Sequence, residues 1–499
     1  MQNSLQCGGD FEFPFSLNDE KVQQDNIERK ETKTYIHIHV CIYTMAQLVS
    51  PTNDCNNNNT NNNNNKKQRV LFIGIEFIDP NFSGNGVYSR TIVKSLLIWN
   101  KVDVHILCGR PSEEKDHEIS ISSHDLQPFY NDNNNVNKDN GKLSITAIPL
   151  QIWKKLGRYS SWEEFSNNVK TNNNVKNDLE AFKPTVAFGV DWTSYQIFNN
   201  LNYLKNAIPF NYFVFRTFSA EKTLTTEERE WYNHKELEAQ MNSTSCIVLS
   251  KVDRQWNVDK YRFDKPLKCL ILNPPLRQDF LQLYNNKKQA IEKNDGKEEV
   301  IRNYITCCSR LEPSKCPDRF VDLVCCNNIF LKEHNIVPVL IGSRTDPIYS
   351  NKLLLQLQQH FNMETKECLV IGFIKDPMEL QQIWERTILN IHPAMYDSYA
   401  MTIVEAAAFA APTLLDTNAS IGAEDLLYGD ARFHVNMSNE LESSKYLKEL
   451  LSNRNLLMET GLKAQQIAIG WNDKAHAEKM QIILNGQVPS MKFIFTLQE

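Results

Sequence analysis

The stretch His392–Leu415 (HPAMYDSYAMTIVEAAAFAAPTLL) carries the most chemistry per residue in the chain. A strand expected over Ile388–His392 ends in His-Pro, and Asp397 and Ser398 then offer N-cap chemistry to a helix rich in Ala, Glu and Met. Seven residues separate Asp397 from Glu405. On a helix of 1.5 Å rise this is about 12 Å, comparable with the reach of a nucleotide diphosphate. One carboxylate can then hydrogen-bond the hydroxyls of a sugar and the other a ribose diol, with helix N-terminal amides facing the diphosphate between them. The plainer alternative is that Asp397 only caps and Glu405 only faces solvent.

Two further loops could serve the same chemistry. Ser309–Lys315 (SRLEPSK) directly follows a strand expected over Tyr304–Cys308, so Arg310 and Lys315 leave the carboxyl end of that strand, the usual ligand position in open α/β sheets. A guanidinium and an ammonium there can neutralise a diphosphate leaving group; alternatively Arg310 pairs with Glu312 on a surface loop. In Phe82–Arg90 (FSGNGVYSR), Gly84 and Gly86 around Asn85 permit close backbone approach to a ligand. The third Gly of a dinucleotide fingerprint and the Gly-Lys-Ser/Thr of a P-loop are both missing, so a tight turn accounts for it equally well. Gly189–Trp192 (GVDW) ends a strand, placing Asp191 either at substrate or at a helix cap. Glu238 falls on the charged helix Glu227–Asn242, where a solvated face is the default. There is no HExxH, no Gly-x-Ser-x-Gly elbow and no metal-spaced His/Cys cluster.

The elements that must position these residues follow from composition and pattern. The chain has 499 residues, 23% charged and 41% hydrophobic, with a net charge of −6, enough for about three domain-sized units and at least one sizeable core. That balance excludes the broad basic footprint of a nucleic-acid binder. Mean hydropathy is −0.45, and no apolar run reaches the roughly 18 residues that span a bilayer. Tyr35–Met45 is too short, and no small-residue cleavage site follows it. The 12 Cys include the adjacent pairs Cys307–Cys308 and Cys325–Cys326 but no CxxC. Buried thiols in a reducing compartment explain them best, which leads us to expect a soluble, cytoplasmic protein.

Residues 1–67, with the runs Asn56–Asn59 and Asn61–Asn65, are expected to be disordered. Met45, about 25 residues ahead of the first convincing strand, is an alternative start. Asn131–Asn140 and Asn172–Asn174 read as expanded surface loops. From Arg69 onward short apolar runs alternate with helical stretches: Arg69–Phe77, Val102–Cys108, Ser144–Leu150, Thr185–Val190, Phe210–Phe215 and Cys246–Ser250. After the charged stretch Asn285–Glu299, read as a linker, the alternation restarts with Tyr304–Cys308, Val337–Gly342, Cys368–Gly372, Ile388–His392 and Pro412–Asp416. The expected architecture is α/β: two doubly wound Rossmann-like domains (68–284 and 300–484) facing a cleft, followed by a tail (485–499).

Taken in order, these features resemble the family-4 retaining glycosyltransferases of the GT-B fold. The resemblance covers most of Arg69–Leu484. It rests on Gly84 and Gly86, Asp191–Trp192, Ser250, Asn273–Pro274, Arg310 with Lys315, Gly342, Gly372–Phe373, Asp397/Glu405, Ala411–Pro412 and Gly470–Trp471–Asn472. It implies that the catalytic residues are Arg310, Lys315, Asp397 and Asp191, with the donor diphosphate on the two cations. Glu405, Gly342, Gly372, Phe373, Ser398, Tyr399, Ala400, Met401 and Thr402 would bind the rest of the donor, and Gly84, Asn85 and Gly86 would form a phosphate and acceptor loop. It further implies a nucleotide sugar as co-substrate, no metal and no other cofactor. The acceptor would be a glycan, lipid or small molecule in the first domain, and the last helix would cross back to that domain.

The sequence departs from the family pattern in places. Asp397 stands where Glu is usual, Ala400, Ala410 and Cys316 where Gly is common, and Val190 where many members have a His. These departures make a non-catalytic nucleotide-sugar-binding protein on the same fold the alternative. An isomerase or epimerase would need a further general base, and the sequence names none.

Overall fold

A computed structural model of the chain describes residues 67–78, 84–112, 140–152, 161–220, 224–260, 269–293 and 300–486. The Asn-rich extension, apart from Lys67, lies outside these residues, as do 131–139 and most of the tail. The first half holds seven parallel strands: β1 (Arg69–Ile73), β2 (Asp103–Pro111), β3 (Leu143–Leu150), β4 (Val186–Val190), β5 (Phe210–Val214), β6 (Ser245–Val248) and β7 (Cys269–Ile271). Their order in the sheet is β3-β2-β1-β4-β5-β6-β7. In the second half β8 (Tyr304–Cys308), β9 (Val337–Ile341), β10 (Leu369–Ile371), β11 (Thr387–His392), β13 (Thr413–Asp416) and β15 (Phe433–Val435) form a second parallel sheet, in the order β10-β9-β8-β11-β13-β15. A small parallel pair, β12 (Tyr396–Asp397) with β14 (Ser420–Ile421), stands apart from both.

Val70–Ile73 and all of β4, β5 and β11 are buried, because helices cover both sheet faces. Each strand order reverses once, between β1 and β4 in the first sheet and between β8 and β11 in the second. Ligands of open α/β sheets bind outside the carboxyl ends of the strands at such reversals. The last helix, Asp473–Leu484, packs on the Gly84–Ile98 helix of the first half. It is fastened there by Asn100, whose amide donates to the Ala477 carbonyl at 3.0 Å, and by the Tyr88 hydroxyl 2.9 Å from His476 Nε2.

Three sequence expectations change. Gly84, Asn85 and Gly86 are the first turn of the Gly84–Ile98 helix, not a loop. Asn172–Asn174 is a junction between two helices: the Asn172 side chain accepts from the Asn174 amide at 2.9 Å and caps the helix Asn173–Phe182. The charged stretch Asn285–Glu299 is helical through Lys293, as the end of the helix Gln278–Lys293. That helix buries Phe280 against Phe409, with ring centroids 6.0 Å apart, and pairs Lys287 with Glu385 at 3.0 Å. Its charges made it read as a linker, but they occupy the outer face of an amphipathic helix. Strands β7 and β15 are only three residues long, too short to show a period in the sequence.

Candidate functional site

The loop after β8 is pinned to β9: the Ser309 amide donates to Ile341 O and the Leu311 amide to Ser343 O, both at 2.9 Å. Gly342 is needed beneath it, since a Cβ there would lie 1.8 Å from Ser309 O. On this loop Arg310 pairs with Glu312 at 3.1 Å, the plainer of its two expected roles. Glu312 also accepts from Ser314 at 2.5 Å and Thr345 at 3.1 Å, so Arg310 rests against an anchored carboxylate. Lys315 ends a 3-10 turn, Pro313–Lys315, and its ammonium lies 2.6 Å from Asp397 Oδ2.

Asp397 therefore meets Lys315 at the β8–β11 reversal, with His392 Nε2, at the end of β11, 3.6 Å away. Its Oδ1 accepts from the Ala400 amide at 3.0 Å and the Tyr399 amide at 3.4 Å. Burial would raise this carboxyl, but the Lys315 ammonium and His392 hold it well below the usual carboxylate range. Asp397 and Ser398 do not cap the following helix. The cap of Met401–Ala408 is Ala400, without a side-chain hydrogen bond, because the Asp397 side chain is spent on loop amides ahead of the helix. The Ser398 hydroxyl lies 3.1 Å from the Tyr396 hydroxyl.

Cys316, Ala400 and Ala410 have φ of 49°, 63° and 56°. All three positions where the resemblance calls for Gly adopt the left-handed backbone that favours it. The loops keep their shape at a cost in strain.

Glu405 is not a solvated helix position. It is buried, and Arg277 Nη1 lies 3.4 Å from it while Arg277 Nη2 holds Asp279 at 2.5 Å. Burial raises the Glu405 carboxyl and Arg277 opposes the rise. With Tyr399, Met401, Leu276 and Val404 these groups line a narrow cleft. Tyr399 is buried, and its hydroxyl has no hydrogen-bond partner among the described residues. Thr402 lies in the first turn of the same helix. Gly372 and Phe373 follow β10, whose Ile371 carbonyl accepts from the Gly342 amide at 3.0 Å. Phe373 is 75% exposed at this carboxyl edge, an aromatic face open to stacking.

At the reversal of the first sheet, Asp191 begins the helix Asp191–Asn200 with φ 56° and is 2% exposed. Its Oδ1 accepts from the amides of Phe215 (2.9 Å) and Arg216 (3.3 Å), and its Oδ2 from the Asn85 side chain at 3.0 Å. It ties together the segments after β1, β4 and β5 and is not a helix cap. Burial pushes its carboxyl up to about 7, against the pull of the two amides. Asp191, Asn85, Ser89, Glu76 and Trp162 line a small hollow there.

The expected residues thus gather at two carboxyl edges, Arg310, Lys315, Asp397, Gly342 and Gly372 on one and Asp191 with Asn85 on the other. Sequence reasoning missed Arg277, 128 positions from Glu405, because no local pattern links them. It also singled out Glu238, whereas the buried carboxylate of that helix is Glu236, which accepts from the Ser219 hydroxyl at 2.5 Å. The apolar neighbours Tyr232 and Ala239, at four before and three after Glu236, mark the inward face that could have revealed it. Among the described residues no group of three or more His, Cys, Asp or Glu side chains could hold a metal ion, and no helix is long and apolar enough to cross a membrane.

No protein-family model matches the chain, and no curated protein matches its sequence. Solved structures do match its fold. Sucrose-phosphate synthase from Thermosynechococcus elongatus superposes with a TM-score of 0.61 at 13% identity, over 84% of this chain and 98% of that one. HepE of Anabaena in complex with UDP and glucose gives 0.58 at 12% identity, over 84% and 99%. A glycosyltransferase from Rickettsia africae gives 0.57 at 14% identity, over 85% and 99%. The two facing Rossmann-like halves are those of the GT-B fold.

Proposed function

We propose that the chain is a glycosyltransferase that moves a sugar from a nucleotide-sugar donor to an acceptor hydroxyl with retention of anomeric configuration. The observation that carries this reading is the Lys315–Asp397 pair, 2.6 Å apart at the reversal of the second sheet and beside the start of the Met401–Ala408 helix. An ammonium, a nearby guanidinium and a helix N-terminus together suit a diphosphate, whose negative charge grows as the bond to the sugar breaks. The fold likeness supports the donor class, since HepE was solved with UDP-glucose and with UDP.

In this mechanism Arg310 leaves Glu312 to join Lys315 on the departing diphosphate, and Asp397 orients the sugar hydroxyls. The acceptor hydroxyl attacks on the face the leaving group vacates, its proton passing to the departing diphosphate oxygen as the new bond to the sugar forms, with no covalent role for a protein group. Phe373 and the Gly372 backbone meet the base, Glu405 meets the ribose once Arg277 yields, and Asp191 shapes the acceptor side with Gly84, Asn85 and Gly86. Arg310 and Lys315 supply the positive charge, so the reading assigns no step to a metal. The acceptor is a glycan, a lipid or a small molecule.

The test is release of nucleoside diphosphate from a panel of nucleotide sugars, UDP-sugars first, with and without acceptors. Lys315→Ala and Arg310→Ala should each lower turnover by about 10²–10³-fold. Binding of a nucleotide sugar without release under any acceptor would replace the transferase with a binding protein. Absence of binding would remove both.

A further inference from the structure

We propose that Asp253, on the first half, is a positioning residue for the donor carboxylate Asp397 on the second half, acting through Tyr396. Its bearing on catalysis rests on the donor-site reading above; the mechanical coupling does not. Asp253 is 0% exposed in the first turn of the helix Lys251–Lys260. One carboxylate oxygen accepts from the Ser250 hydroxyl at 3.1 Å, within its own turn. The other accepts from the Tyr396 hydroxyl at 2.7 Å, across to the second half. This fully buried carboxyl group has that hydroxyl and its own serine as its side-chain partners, so losing either leaves one of its oxygens desolvated without a hydrogen bond.

Tyr396 is joined to Asp397 in the two-residue strand β12. Successive side chains of a strand leave it on opposite sides, and here they reach different partners: Tyr396 reaches Asp253, and Asp397 reaches Lys315 at 2.6 Å. The first half therefore holds one side of the strand while the diphosphate cation holds the other. The contact is fitted on its flanks. The Lys251 amide, two residues before Asp253, donates to the Asp425 carboxylate. At Gly422, just after β14, a Cβ would lie 1.9 Å from Ser398 O and 2.8 Å from Ser250 Cβ, so the Ser250 turn sits directly on the β12–β14 pair. When the halves separate, Tyr396 loses Asp253, and Asp397 is then located from one side only.

Nothing else proposed for the site uses Asp253, and its neighbours explain why Asp is needed. Asn in its place keeps an acceptor for Tyr396 but loses the carboxylate that also satisfies Ser250. Phe in place of Tyr396 removes one hydroxyl from an otherwise unchanged ring, a variant that retains the fold even where Asp253→Asn does not.

The experiment compares full-length wild type, Asp253→Asn, Tyr396→Phe and the double variant in two measurements. Amide hydrogen exchange without ligand reads the coupling by itself. Exchange across 396–400 should rise at least tenfold in Tyr396→Phe and no further in the double variant, and by less in Asp253→Asn, whose amide oxygen still accepts from Tyr396, while 304–308 stays unchanged. Unchanged exchange at 396–400 in Tyr396→Phe overturns the proposal, whatever the protein binds. Calorimetric titration with UDP and with UDP-glucose then reads the consequence. UDP affinity should stay within twofold, and UDP-glucose affinity should fall tenfold or more, because only the sugar meets Asp397. An equal fall for both ligands overturns the positioning role, while no binding of either to wild type counts against the donor reading and leaves the exchange result to decide the coupling.

Discussion

Replacing Cys316 or Ala410 by glycine should stabilise the protein. Both have left-handed backbones, with φ of 49° and 56°, a conformation that costs an L-residue about 1–2 kcal/mol. Glycine relieves this but adds freedom to the unfolded chain, returning about 0.4–1 kcal/mol. The net expectation is a gain of about 0.5–1 kcal/mol at each site. Neither side chain contributes much against it: the Cys316 thiol is a weak donor, placed 3.4 Å from Pro313 O, and Ala410 is a half-buried methyl. Asp191 has the same φ of 56°, yet Asp191→Gly should destabilise by about 3 kcal/mol or more, because three N–H donors lose their buried acceptor. The assay is urea unfolding, reading the midpoint at unchanged slope. Midpoints that fall for both Cys316→Gly and Ala410→Gly would refute the strain argument.

The remaining expectations test the two carboxyl edges. Gly342→Ala should cost several kcal/mol, roughly the top of the range for single substitutions, because its Cβ would enter Ser309 O; a soluble, normally stable variant would contradict the loop packing. Arg277→Met should leave Glu405 buried without its cation and destabilise by about 3 kcal/mol near pH 7. Arg277→Met with Glu405→Gln should recover most of that loss, as a double-mutant cycle would show. Asp191 and Asp253, both pushed up to about 7 by burial, hold protons in the folded state that the unfolded chain releases near pH 4. Stability then falls as pH rises from about 4 to 7, by up to about 1.4 kcal/mol per pH unit for each group. Asp191→Asn should flatten that slope by one proton. Asp397 works in the opposite sense: its carboxyl is held low, so its stabilisation is present above pH 4 and is lost as pH falls below it. Asp397→Asn should therefore lessen the acid sensitivity of unfolding.

Much of this molecule could be read from its sequence because its sheets are parallel and covered on both faces. Tyr304–Cys308 is a short, largely apolar run with no competing period, and it forms a strand with those bounds. The placement of Arg310, Lys315 and Asp397 was legible for the same reason: each lies on a loop leaving such a run, and the carboxyl end of a buried parallel strand is where a loop can meet a ligand. That Cys316, Ala400 and Ala410 stand where Gly is common was visible only through resemblance, and their left-handed backbone was not visible at all, since nothing in an alanine or cysteine itself reports positive φ. What escaped the sequence is what crosses the chain. Arg277 with Glu405 and Asp253 with Tyr396 join residues 128 and 143 positions apart, and local pattern cannot place such pairs. The charged helix Gln278–Lys293 escaped differently, because its few buried apolar residues are outnumbered by solvated ones.

The most direct test of the central claim is calorimetric titration of the full chain with a series of nucleoside diphosphates, repeated on Lys315→Ala. The account predicts one-to-one binding of at least one nucleoside diphosphate and a loss of about 1.5–3 kcal/mol of affinity in the variant, the worth of a charge-assisted hydrogen bond. Binding that is indifferent to Lys315, or no binding of any nucleoside diphosphate, would contradict it.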